Sequence, residues 1–245
     1  MLMSVIEEAH AVACHPELAG KRVLITGLNS CVGVDLVRAF AEHKARLVLQ
    51  FAEQTESMDA VAEIAARSAL EVASYGPVDE GSDGAVAFAR TAVQAFGGLD
   101  VVINLVPLHT STIDAASDVD DIEQLVASRL TLPLQLSKIA ANRMAMMLTE
   151  GLILNVATVP TGSKGAKWAF ASVMKAALSG LTRAQAEEWA PKGIRFNAIA
   201  PQTSSVSVGP GLSGEANVAL LALYLASAAG RPLSGHVFEA DCARC

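Results

Sequence analysis

Tyrosine is almost missing from this chain: two occur among 245 residues, Tyr75 and Tyr224, within an aromatic share of 4%. Chemistry that needs a phenol as proton carrier has only those two places to draw on. Basic runs are missing too, and the formal net charge is −7. Nucleic acid and anionic membrane surfaces both select clustered Lys and Arg, so neither is an expected partner. No stretch reaches the roughly 18 consecutive apolar residues that a membrane-crossing helix needs. The opening residues MLMSVIEEAHAVACHPELAG place Glu7 and Glu8 ahead of any apolar run and lack the basic start of a secretory leader. Cysteine is sparse, with Cys14, Cys31, Cys242 and Cys245 scattered or terminal. The last two have CxxC spacing, but without a second pair or nearby histidines no metal site is expected. The expected setting is a reducing cytoplasm.

What remains is a chain rich in short apolar runs. Hydrophobic residues make up 52% and charged residues 18%, enough for a sizeable core in one large α/β domain. Runs at 22–26, 45–51, 71–74, 100–104, 152–156, 194–200 and 236–240 have the β-branched, uninterrupted character of strands buried on both faces. Helical patterns lie between them, near 32–43, 57–69, 82–96, 120–147, 167–190 and 215–228. This alternation predicts a doubly wound, seven-stranded parallel sheet with helices on both faces. Residues 1–20 are expected to form an N-terminal extension containing a short helix, ahead of a single domain over 21–245. In such a sheet, ligands bind outside the carboxyl ends of the strands. The positions of interest therefore follow Thr26, Phe51, Asn104, Val156 and Ala200.

After the first strand comes TGLNSCVG, Thr26 to Gly33. A glycine-bearing turn that feeds a helix offers free N–H groups and a positive dipole end to a phosphate. Together with FGGLDVVIN (96–104), GLILNVAT (151–158) and IRFNAIAP (194–201), it resembles the short-chain dehydrogenase/reductase family in order and spacing. The resemblance runs from about residue 18 to the end. It implies a single Rossmann-like domain, an NAD(P)-dependent oxidoreductase ancestry, and NAD or NADP as cofactor. Cofactor-binding positions implied by it are Gly27, Asn29, Ser30, Gly33, Phe51, Asn104, Lys175 and Pro201.

Several of those positions depart from the family pattern. Cys31 stands where the family's second turn glycine lets the backbone approach the diphosphate. Phe51 stands where an acid or base would meet the adenosine ribose, so NAD and NADP are not distinguished. Pro107 replaces the glycine after Asn104-Leu105-Val106. Val206 replaces a threonine, with Ser204, Ser205 and Ser207 around it, and the segment after Pro201 is short for a substrate lid.

The family transfers a proton through a tyrosine, assisted by a lysine four residues later, a serine thirteen residues earlier, and an asparagine in the preceding helix. Here those places fall on Ala171, Lys175, Thr158 and Arg129. The spacing is intact, so Thr158 and Lys175 are remnant catalytic positions, and the phenol is substituted rather than displaced. The expectation is a family member with impaired catalysis and weak or absent cofactor binding, serving as a structural or regulatory subunit. Alternatives are an active NAD(P)-dependent carbonyl or 3-oxoacyl reductase, and a ligand sensor using the old cleft. In the helix near 120–147, Leu125, Leu132, Leu136 and Ile139 are expected to cover the sheet. Ala127, Leu130, Leu134, Ala141 and Ala145 are expected to face a partner, either a second copy (dimer or tetramer) or an active homologue.

Overall fold

All seven apolar runs form strands: β1 Arg22–Leu28, β2 Arg46–Phe51, β3 Glu71–Tyr75, β4 Val101–Val106, β5 Gly151–Ala157, β6 Ile194–Pro201 and β8 Val237–Asp241. An unexpected two-residue strand, β7 Leu212–Ser213, joins in parallel beside β8. The computed structural model describes residues 15–29, 33–78, 82–106, 113, 118–157, 166–201, 212–213 and 215–241. The four cysteines, Ser30, Pro107, Thr158 and the 204–207 segment lie outside the described residues.

The strand order is β3-β2-β1-β4-β5-β6-β8-β7, with the strands parallel throughout. Helices α1 Val34–Glu42, α2 Glu56–Ser68, α3 Ser82–Gln94, α4 Val119–Met146, α5 Ala166–Trp189 and α6 Glu215–Ala226 connect or follow them. Side chains alternate across a strand. Val23 and Ile25 therefore enter the core built with α1, α2 and α6, while Leu24 enters the opposite core with α3 and α4. Central β5 is buried at every residue. Edge strand β3 exposes Glu71 and Ser74. Among the described residues, no helix is long and apolar enough to cross a membrane.

Two contacts seat the strands at their amino ends. Arg22 forks onto Asp100, with Nε 2.9 Å from Oδ2 and Nη2 2.8 Å from Oδ1. The backbone N–H of Arg22 adds a third bond, 2.8 Å to Oδ2. Burial raises the Asp100 carboxyl, but the Arg22 side-chain and backbone bonds and the guanidinium charge outweigh it and hold the group below its ordinary 3.8. Leu18, ahead of β1, is fully enclosed in the first core. Glu17 accepts the Ala228 N–H at 3.0 Å. The part of the expected extension nearest β1 is thus stitched into the domain through a 3₁₀ turn, Pro16–Leu18.

Helix α4 differs from the expected facing. Its buried row is Ile122, Val126, Leu130, Pro133, Ser137, Ala140 and Met144, accompanied by Leu136 and Ala141. Leu130, expected outside, is only 4% exposed, and Ala141 is fully buried. Leu125, Leu132 and Ile139, expected inside, lie half-buried on the flanks. The row carries a serine at its centre, which is buried because it has a polar partner in β4. Counting apolar residues alone moves the face by about one residue, or roughly 100°.

Two outcomes follow. Leu130→Ala should cost about 2–5 kcal/mol in urea unfolding, as a core cavity does, whereas Ala127→Ser on the exposed side should stay within about 0.5 kcal/mol. Asp100→Ala should cost about 2–4 kcal/mol at neutral pH. Because the folded pKa of Asp100 is depressed, its contribution is present above the ordinary carboxylate value and fades as pH falls through the folded one. The gap between wild type and Asp100→Ala, measured from pH 7 to pH 2, should therefore close below about pH 4. A gap constant over that range would contradict this assignment.

Candidate functional site

The sheet order reverses between β1 and β4, which opens a crevice at their carboxyl ends. Beneath it lies a buried polar knot. Thr26 donates through Oγ1 to Asn104 Oδ1 at 3.1 Å. Asn104 donates through Nδ2 to Asn155 Oδ1 at 2.8 Å and to Ser137 Oγ at 2.9 Å, with the Pro133 carbonyl 3.4 Å away. One carboxamide thereby joins β1, β4, β5 and α4. The resemblance assigns Asn104 to the cofactor; the structure places its side chain wholly inside this knot.

The turn above the knot keeps part of its cradle shape. Gly27 has φ +75° and Gly33 φ +107°, conformations that favour glycine. Gly33 caps the amino end of α1, and a Cβ there would strike Leu28 Cδ2 and lie 2.7 Å from Leu105 Cδ1. Only glycine lets α1 approach β1 and β4 so closely. Asn29 is buried within the same turn. The Gly27 N–H donates to Gln50 Oε1 at 2.8 Å. Gln50 in turn donates through Nε2 to the Phe51 carbonyl at 2.6 Å, with the Gly76 carbonyl at 3.4 Å. Phe51 ends β2 with its ring packed in the first core.

On the far side of the crevice, α5 carries Ala171 and Lys175 one turn apart. Ala171 is 3% exposed and packs with Phe170 and Met174 in the third core cluster. Lys175 donates through Nζ to Glu239 Oε1 at 2.6 Å. Glu239 lies on β8 opposite Ala200, next to Pro201 at the carboxyl end of β6. The pair is charge-assisted and part-exposed, and therefore screened by solvent. Arg129 is half-buried on α4, one turn before Pro133. Proline has no N–H to return to the Arg129 carbonyl. Trp168, at the start of α5, is exposed.

The structure thus brings Gly27, Asn29, Gly33, Phe51 and Asn104 to one end of the crevice, with Ala171, Lys175 and Pro201 toward the other. The position assigned to the adenosine ribose is a buried phenyl ring, and the lysine assigned to the nicotinamide ribose is ion-paired to a neighbouring strand. Among the described residues, no group of three or more His, Cys, Asp or Glu could hold a metal ion.

Sequence reasoning missed Gln50, Glu239, Ser137 and Asn155. Gln50, Ser137 and Asn155, all buried, carried a readable signal. A polar residue inside a strand or helix row that is otherwise apolar must find a partner when buried, because an unpaired buried polar group costs about 1–3 kcal/mol.

The sequence profile of the family described as short chain dehydrogenase matches residues 21–210. Momilactone A synthase of Oryza sativa subsp. japonica is 30% identical over 259 aligned positions, which cover 95% of this chain and 93% of that protein. An uncharacterized oxidoreductase of Thermotoga maritima is 31% identical across 76% of this chain and 72% of its own. Among solved structures, a short chain dehydrogenase from Mycobacterium smegmatis superposes with a TM-score of 0.75 at 21% identity, covering 92% of this chain and 93% of the other. With a family profile over most of its length and this fold, the chain belongs to the short-chain dehydrogenase family.

Proposed function

We propose that this chain is a catalytically impaired member of its family, acting as a structural or regulatory subunit. The observation that carries the reading is Ala171, buried in α5 one turn before Lys175, where the family resemblance calls for a proton-donating tyrosine. A methyl group holds no exchangeable proton. Loss of a positioned general acid costs about 10²–10⁴ in rate, and more where residues act as a unit. The described Tyr75 packs edge-on against Phe88 at the β3 end of the sheet. Tyr224 lies on α6, which packs on the opposite face of the sheet from α5. Neither phenol is placed to substitute.

NAD or NADP is the cofactor by ancestry, and its binding is proposed to be weak or absent, in keeping with Phe51 and the Lys175–Glu239 pair. The proposed assembly is a dimer or tetramer, or a hetero-oligomer with an active homologue. Leu220, 62% exposed, and Tyr224, 41% exposed, lie one turn apart on α6 and support such a contact. A second reading, an active oxidoreductase, is favoured by the retained Lys175 and by the similarity to a protein named momilactone A synthase.

Purified protein is expected to oxidise neither NADH nor NADPH above blank with generic ketones, aldehydes or acetoacetyl thioesters. Ala171→Tyr alone should restore little, because Arg129 still stands at the asparagine position. Steady turnover that remains after contaminating reductases are removed, and that Lys175→Ala abolishes, would establish the second reading instead. Light scattering after gel filtration should report more than one chain per particle. A monomer at micromolar concentration would overturn the subunit role in a homo-oligomer.

A further inference from the structure

We infer that Gln50 and Glu239 are built-in competitors for the crevice, each engaging from within the protein a donor that a dinucleotide would use. The inference rests on the reading that dinucleotides bind weakly, and supplies a removable cause for it. Gln50 projects from the end of β2 and takes the Gly27 N–H of the glycine turn at 2.8 Å. Glu239 projects from the carboxyl end of β8 and takes the Lys175 ammonium at 2.6 Å. In the sheet order β1 and β8 are four strand spacings apart, about 19 Å at ~4.8 Å per strand. The two contacts therefore flank the crevice rather than crowding one point.

The chemistry of the competition differs at the two ends. Gln50 is buried, and its carboxamide also donates to the Phe51 carbonyl, so the side chain is held at both its atoms. A ligand oxygen that claims the Gly27 N–H leaves a buried carbonyl oxygen without its donor, which is unfavourable. Glu239 is part-exposed and forms an ion pair with Lys175. An anionic ligand there meets an ammonium already paired with a carboxylate, and that carboxylate repels it. Neither contact includes a residue of the buried knot at Asn104, so that knot is untouched when either is removed.

The test is equilibrium titration with NADH and NADPH, read by nucleotide fluorescence and by shift in melting temperature. Wild type is compared with Glu239→Gln, Gln50→Met and the double variant. Gln and Met preserve side-chain size, and Glu239→Asp provides a second, shortened carboxylate should the amide perturb folding. Each single variant should tighten binding about threefold to tenfold, the scale of one exchanged hydrogen bond, and the double variant by about the product. Adding Lys175→Met to Glu239→Gln should abolish the Glu239 gain. Weak binding in every variant, or a gain that persists without Lys175, would overturn the competitor role while leaving the weak-binding reading in place. Tight binding by wild type, with a dissociation constant below about 10 µM, would overturn both.

Discussion

The architecture of the crevice depends on one buried carboxamide. Asn104 accepts from Thr26 and donates to Ser137 and Asn155, joining three adjacent strands to α4 at the place where the strand order reverses. A buried amide group is tolerated only when its donors and acceptors are matched. The match here sets the register of β1 against β4, Thr26 beside Asn104, and of β4 against β5, Asn104 beside Asn155. It also sets the rotation of α4, because Ser137 must point inward. From those constraints follow the position of the glycine turn above β1 and the wall that α5 presents beside α4.

Above the knot, among the described residues, two polar contacts flank the crevice. Gln50 closes on the Gly27 N–H and Glu239 closes on Lys175, while Phe51 and Ala171 are buried hydrocarbon. Proton transfer to a substrate carbonyl needs an acid that can touch it and release a proton at working pH. Lys175 donates to the Glu239 carboxylate on β8 at 2.6 Å, in a part-exposed ion pair. Three features hold the fold at and beside the crevice: the Asn104 knot, the Arg22–Asp100 fork and the glycine at position 33.

Much of this architecture was legible in the sequence because parallel strands buried on both faces write themselves as continuous apolar runs. All seven expected strands are present with boundaries shifted by one or two residues, and the register from Ala171 to Lys175 falls on α5 as spacing implied. What stayed hidden was partner choice. Gln50 and Glu239 stand out as polar residues in apolar strands, but the atoms they meet lie 23 and 64 residues away. Pairing of β1 with β2 and packing of α5 against β8, not local pattern, bring them together. The facing of α4 failed for a related reason, since Ser137 belongs to the core row only by virtue of Asn104. Leu212–Ser213 was hidden because two residues carry no periodicity at all.

Native mass spectrometry of the freshly purified protein tests the central claim most directly, because it weighs each particle with whatever the crevice has retained. A crevice whose donors are engaged internally should yield subunits at the mass of the chain alone, 25.4 kDa per subunit, in assemblies of more than one. Particles carrying one nicotinamide dinucleotide per subunit, retained through purification without added ligand, would contradict it.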